Sequence, residues 1–348
     1  MAEIDPRETG GGTGVNGNER IVGKAGNRGL TLAKLGFGLG LLALLVANVP
    51  LSELRASFGS VDLLYLAILF ILPYPLMALA TARWRLLLRA LGLDIGFFKL
   101  VSLNLIGRFF SNFLPTAIGG DVVRTYQLSR DTNDASSVTA ATVLDRLVGL
   151  VALVSLLPIV LLSDVLVTAF PVIRFLVPAA LIGFMAAISL ALSSRWSAVW
   201  QMIRGARFER LTGFLSQTRK AVAQGMRSIG ALLSSFGISI AFYVGAALST
   251  WVAAKTVGAD VGFPYLMAII PMVLLAAALP ISLNGLGVTE AGFALFLQLV
   301  GVSLADAVTI GLLLRGTYIV PSILGAFVFL RYRPAGPAPP AEAPVNLP

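Results

Sequence analysis

Long apolar runs recur along this chain: Leu35–Val49, Leu63–Ala80, Leu147–Leu162, Phe175–Leu192 and Ile238–Ala254. Several reach or approach the roughly 20 residues that an α-helix needs to cross a bilayer core. Only 12% of the 348 residues are charged, about half the share usual in a soluble domain. That leaves too little polar surface to cover a water-soluble globule, and the mean hydropathy of +0.88 agrees. The expected fold is therefore all-α, a polytopic integral membrane protein.

The sequence contains no cysteine and no histidine. Disulfides, thiol nucleophiles, Cys/His metal sites and imidazole acid–base chemistry are thereby excluded, and no metal or cofactor is expected. The high isoelectric point, about 10.2, reads as the Lys/Arg excess of cytoplasmic loops and not as nucleic-acid binding.

Charge placement predicts the path. Basic clusters lie at Arg7–Lys34, at Arg83, Arg85, Arg89 and Lys99, along 195–227, and at Arg331 and Arg333. Placing all of them in the cytoplasm gives full spans at about 30–49, 61–81, 137–162, 171–193, 229–254 and 304–330. Segments 95–135 and 263–302 must then each enter and leave on one side, the first from the cytoplasm and the second from outside. The reading is about six full spans plus two re-entrant hairpins, with both termini cytoplasmic in the inner (plasma) membrane. Residues 1–29 and 334–348 read as disordered tails, the latter Pro/Ala-rich. Within 195–227, Trp196, Val199, Trp200 and Ile203 share one helical face beside Arg204, Arg207 and Arg210. This predicts an amphipathic helix on the membrane surface.

The two hairpin segments share a pattern. Leu-Pro at 114–115 leads to Gly119, Gly120 and Asp121, with Arg146 25 residues after the acid. Leu-Pro at 279–280 leads to Asn284, Gly285, Gly287 and Glu290, with Arg315 again 25 residues on. Val138-Thr139 precedes the first arginine much as Val308-Thr309 precedes the second. With the opposite entry sides, this predicts inverted repeats over about 61–162 and 229–330. In secondary transporters such repeats, built with broken helices, frame a site near mid-membrane, where irregular backbone is tolerated only if buried or lining a cavity.

An ionisable side chain at that depth costs roughly 2.5–3.5 kcal/mol on insertion scales, so the few present need a partner or a task. They are Arg108, Asp121, Arg124, Asp145, Arg146, Glu290 and Arg315. Asp121 and Arg124 share a helix face just after a glycine pair, where a helix N-terminus favours an anion. A phosphate held by Arg124, Arg146 and Arg315 fits this set, with Asp121 and Glu290 meeting a cationic group or a proton. Internal ion pairs, Asp121–Arg124, Asp145–Arg146 and Glu290–Arg315, fit the same residues and remain open. Gly285-x-Gly287 is no dinucleotide loop, because a third glycine and a βαβ unit are missing.

The series Asn112-Phe-Leu-Pro-x-x-x-Gly-Gly-Asp-x-x-Arg124, Asp145-Arg146 and Gly285-x-Gly-x-x-Glu290 resembles the lysylphosphatidylglycerol synthase transmembrane-region family, the flippase-like domain proteins. The resemblance spans about residues 30–330, although members commonly carry Glu-Arg where this chain has Asp145-Arg146. It implies movement of a phospholipid or polyprenyl-linked lipid between leaflets. It also implies substrate-binding roles for Asn112, Gly119, Gly120, Asp121, Arg124, Asp145, Arg146, Asn284, Gly285, Gly287, Glu290 and Arg315. In two-domain relatives a soluble synthase domain attaches lysine to phosphatidylglycerol. With about fifteen residues after Arg333, no such domain is expected here, nor lysyl transfer. Two other readings are a non-catalytic partner of a separate lipid synthase or glycosyltransferase, and a membrane-embedded lipid-modifying transferase.

Overall fold

The computed structural model describes residues 19–113, 119–192, 209–279 and 281–332. The N-terminal tail to residue 18, Pro115, Pro280, the Trp196–Ile203 face and the Pro/Ala tail lie outside them. Helices dominate, and no strand occurs among the described residues. In chain order they are α1 (Glu19–Ala47), α2 (Leu51–Gly59), α3 (Leu63–Ile71), α4 (Pro73–Ala90), α5 (Phe97–Phe113), α6 (Gly119–Thr132) and α7 (Ala135–Ser155, continued by a 3₁₀ segment Leu157–Leu162). Then follow α8 (Asp164–Ala169), α9 (Ile173–Leu192), α10 (Glu209–Arg227), α11 (Ile229–Thr256), α12 (Phe263–Ala278), α13 (Val288–Gln298) and α14 (Leu304–Arg331).

Four continuous apolar stretches of 28 residues, Leu63–Ala90, Ala135–Leu162, Ile229–Thr256 and Leu304–Arg331, are long enough to span a membrane. At 1.5 Å per residue each measures about 42 Å. The first apolar segment bends by 89° into α2. α1 begins at Glu19, ahead of the expected start at 30, because helical hydrogen bonding runs on into polar residues that hydropathy cannot mark. Local signals set the other starts. Asp134 caps α7 by accepting from the Ser137 N–H at 2.9 Å, and Ser303 caps α14 by accepting from the Asp306 N–H at 3.0 Å.

Between the long stretches, α5 packs on α6 and α12 on α13 as two hairpins. Each is pinned at its base. Lys99, near the start of α5, pairs with Asp131 near the end of α6 at 2.9 Å. The Tyr265 hydroxyl, near the start of α12, donates to the Phe296 carbonyl near the end of α13 at 2.5 Å. The base of the first hairpin also meets Tyr332, just past the end of α14, through Asp131. The second hairpin runs directly into the start of α14. The two bases therefore lie at opposite ends of one long helix, which is the inverted arrangement.

Helix directions agree. The Asp62 N–H donates to the Thr256 carbonyl at 2.9 Å, and Arg83 reaches Ser239 at 2.9 Å, so α3–α4 runs antiparallel to α11. The Tyr243 hydroxyl on α11 donates to the Gly149 carbonyl on α7 at 2.9 Å, while Ser239 and Asp145 share Arg83. α11 and α7 thus run parallel. Each hairpin has its own apolar core. Leu87, Leu100, Leu103, Leu128 and Leu144 surround the first, and Leu266, Ile269, Phe293, Leu297 and Ile310 surround the second. Outward-facing Leu63, Phe98, Phe175, Ile182, Phe327 and Leu330 are exposed, as a lipid-facing surface requires.

Candidate functional site

The first half of the site is a chain of alternating charges. Arg83 on α4 donates to Asp145 on α7 at 2.6 Å. Asp145 also pairs with Arg124 on α6 at 3.3 Å, Arg124 with Asp121 at 3.0 Å, and Asp121 with Arg146. The Arg124 guanidinium lies 4.3 Å over the buried Trp84 ring and donates to the Asn104 side-chain oxygen. The Asn104 amide in turn donates to the Thr81 hydroxyl at 2.8 Å. This packing seals the inner links from water. Only Arg146 is open, its side chain 62% exposed against 10% for Asp121.

The second half is simpler. Arg315 on α14 donates to Glu290 on α13 at 2.6 Å. Its other nitrogens donate to the carbonyls of Asn284 at 3.2 Å and Gly285 at 3.1 Å. Asn284, Gly285 and Gly287 all adopt left-handed backbone, with φ of 48°, 70° and 77°, and this turns the two carbonyls toward the arginine. Glycine suits such dihedrals, and at Gly287 any Cβ would strike the Gly38 carbonyl of α1. Glu290 is 1% exposed, and one of its carboxyl oxygens has no hydrogen-bond partner.

The hairpin tips meet where the Asn284 amide donates to the Asn112 side-chain oxygen at 3.1 Å. Beside this contact lies a cavity of about 340 Å³. Its polar lining includes Arg108, Ser111, Arg146, Asn284, Glu290 and Arg315. Leu76, Phe242, Ile270, Leu274, Phe293 and Leu314 supply apolar lining. Arg146 and Arg315 each stand eleven residues past the first residue of α7 and α14, about 16 Å along helices of about 42 Å. Both therefore sit well inside the membrane-crossing length.

Several expectations change at this level. Two of the three internal pairs left open, Asp121–Arg124 and Glu290–Arg315, do form, and Asp121 also binds Arg146. Asp145 pairs with Arg83 and Arg124, not with its neighbour Arg146. The side chains of Asp121, Arg124 and Asp145 are nearly inaccessible, at 10%, 8% and 5% exposure, and none lines the cavity. Gly119 and Gly120 do open α6, yet both are buried. A Cβ at Gly120 would overlap the Gly107 carbonyl and the Ser111 hydroxyl, so Gly120 serves the crossing of α5 and α6.

Arg83, grouped in sequence with the cytoplasmic arginines, is instead inside, because the helix continues apolar packing through Trp84, Leu87 and Leu88. Asn104 and Trp84 carried no sequence signal beyond position on a helix. Arg108 did, as an intramembrane cation, and it proves to line the cavity.

The chain is similar in sequence to known membrane proteins. A curated relative, a UPF0104 membrane protein of Methanothermobacter thermautotrophicus, is 23% identical over 291 residues, covering 76% of this chain and 84% of its own. The family model for the lysylphosphatidylglycerol synthase TM region matches residues 31–325, a stretch that takes in both hairpins, both acid–arginine pairs and the cavity between them. The chain belongs to the lysylphosphatidylglycerol synthase transmembrane-region family.

Proposed function

We propose that this protein is a lipid flippase that moves a phosphate-bearing head group between leaflets through the cavity between the two hairpins. The observation that carries the reading is a cavity with both arginine-rich and apolar lining, set between inverted hairpins in a membrane protein. An amphipathic guest, a charged head with the first part of its chain, fits that mixture. Arg108 and Arg146 hold the phosphate, with Arg315 beside them in the cavity lining, since guanidinium forks match phosphate oxygens. Asp121 and Asp145 orient the arginines. Glu290 competes with the phosphate for Arg315, so the head group and the carboxylate exchange one partner during a transport cycle.

The reading needs no covalent step, because binding and release of the head group account for every residue named. It resides in the plasma membrane with both ends cytoplasmic, on the strength of the basic clusters. A separately encoded lipid synthase or glycosyltransferase supplies its lipid.

The test is leaflet exposure of fluorescent phospholipids in proteoliposomes holding the full chain, its Glu290→Gln variant or its Arg146→Ala variant. Lipid movement by the wild type and its loss in both variants supports the proposal. Equal movement in all three removes the site assignment, and none in the wild type leaves the partner role as the better account.

A further inference from the structure

The charges around the cavity do not balance, and the imbalance names a class of guest. Among the described residues, Arg83, Arg108, Arg124, Arg146 and Arg315 face only Asp121, Asp145 and Glu290. Five arginines against three carboxylates leave a surplus of two positive charges. The neighbouring residues outside the described set, 114–118 and 280, read Leu-Pro-Thr-Ala-Ile and Pro and add no ionisable side chain.

Both surplus charges open onto the cavity. The chain Arg83–Asp145–Arg124–Asp121–Arg146 carries one extra cation, and its buried end, Arg83, is 13% exposed while Arg146 is 62% exposed. Glu290 and Arg315 neutralise each other. Arg108 lines the cavity with no ion-pair partner among the described residues, and the charge that acts on it is that of another arginine, Arg124. Uncompensated cations inside a membrane are costly, so the occupied state is the one that brings negative charge.

We propose that the cavity takes a dianionic phosphate monoester head group, the terminal phosphate of a lipid, held by Arg108 and Arg146. A phosphate monoester carries about −1.5 to −2 at neutral pH and matches the surplus. A phosphodiester brings a single charge and leaves one arginine uncovered. A cationic aminoacyl head group adds to the imbalance. This assignment rests on the flippase reading for its lipid source, while the charge count itself does not.

The experiment is calorimetric titration of the full chain in detergent with three ligands: dioctanoyl phosphatidate, dioctanoyl phosphatidylglycerol and glycerol 3-phosphate. Phosphatidate is expected to bind about tenfold or more tightly than the matched diester. Arg108→Gln should bring that ratio close to one, and Arg108→Lys, which keeps the charge, should retain most of it. Arg146→Gln gives a second removal of surplus charge should Arg108→Gln fail to fold. Equal or tighter binding of phosphatidylglycerol overturns the proposal, as does a ratio unmoved in a folded Arg108→Gln protein. Glycerol 3-phosphate binding as tightly as phosphatidate upholds the dianion but makes its source soluble, and it is then the flippase reading that fails.

Discussion

In the first repeat Asp121 and Asp145 share three arginines among them, whereas in the second Glu290 answers to Arg315 alone. The positions that would complete the second half show why. Three residues after Glu290, where the first repeat has Arg124, stands Phe293, and beside Arg315, where the first has Asp145, stands Leu314. Both line the cavity. The second half replaces side-chain charges with apolar wall and uses the carbonyls of Asn284 and Gly285 as the remaining acceptors for Arg315. One repeat is thus a tightly shared ionic frame with one free end. The other is a single pair with spare bonding capacity at Glu290.

Because of that difference, removing an acid should be far more damaging in the first repeat. Asp145→Ala strips counter-charge from Arg83 and Arg124 together. Losing one member of a buried pair typically costs about 3–5 kcal/mol, so the yield of monodisperse protein and the thermal midpoint in detergent should both fall sharply. Asp145→Glu, which keeps the carboxylate, should recover them. An undisturbed midpoint for Asp145→Ala would show that the ionic frame does not support the fold.

Glu290→Gln is the matching change in the second repeat. Arg315 keeps its two carbonyls, so the loss of stability should be nearer about 1–3 kcal/mol, while lipid movement stops. A midpoint as low as that of Asp145→Ala would erase the contrast between the halves. The contact that joins them is weaker still. A double-mutant cycle of Asn112→Ala and Asn284→Ala should give a coupling of about 0.5–1.5 kcal/mol, read from denaturant unfolding, and zero coupling would separate the hairpin tips.

The smallest effect concerns the cap at the start of α7, which carries Asp145 and Arg146. Burial alone would push the Asp134 carboxyl up. Hydrogen bonds from the side chains and backbone N–H groups of Ser137 and Ser136 outweigh it and hold the group below the usual carboxylate value. Its stabilisation is therefore present above about pH 4 and is lost as pH falls through the lowered value. Asp134→Ala should cost about 1 kcal/mol at neutral pH, with the difference from wild type shrinking under acid. A gap that persists at low pH would mean the cap does not act through its charge.

Much of the frame was readable along the chain because hydropathy is a local property. The apolar runs marked where the long helices lie but not their ends: α1 starts well before Leu35, α7 before Leu147 and α11 before Ile238, and α4 runs on through Trp84 to Ala90. Of the six full spans expected, four helices among the described residues are long and apolar enough to cross, or five if the segment bent by 89° is one span. The equal spacing of Asp121 from Arg146 and Glu290 from Arg315 announced pairs that form as spaced. The roles of individual charges were not readable in this way. Arg83 looked like one of a basic cluster, and Arg124 like a phosphate ligand. Burial and three-way sharing make both of them internal supports.

The sequence by itself determined that the chain spans a membrane as helices, that two segments break within it, and that each break carries an acid matched to an arginine 25 residues on. These follow from residue type and spacing, which act over one helix or one hairpin. Only the tertiary structure decided which arginines are spent on carboxylates and which face the cavity. That outcome depends on how α4, α5, α6 and α7 close around Asp145 and Asp121, and on the left-handed turn that aims two carbonyls at Arg315. Electrostatic pairing acts through space, between residues far apart in the chain, so no single stretch of sequence holds it.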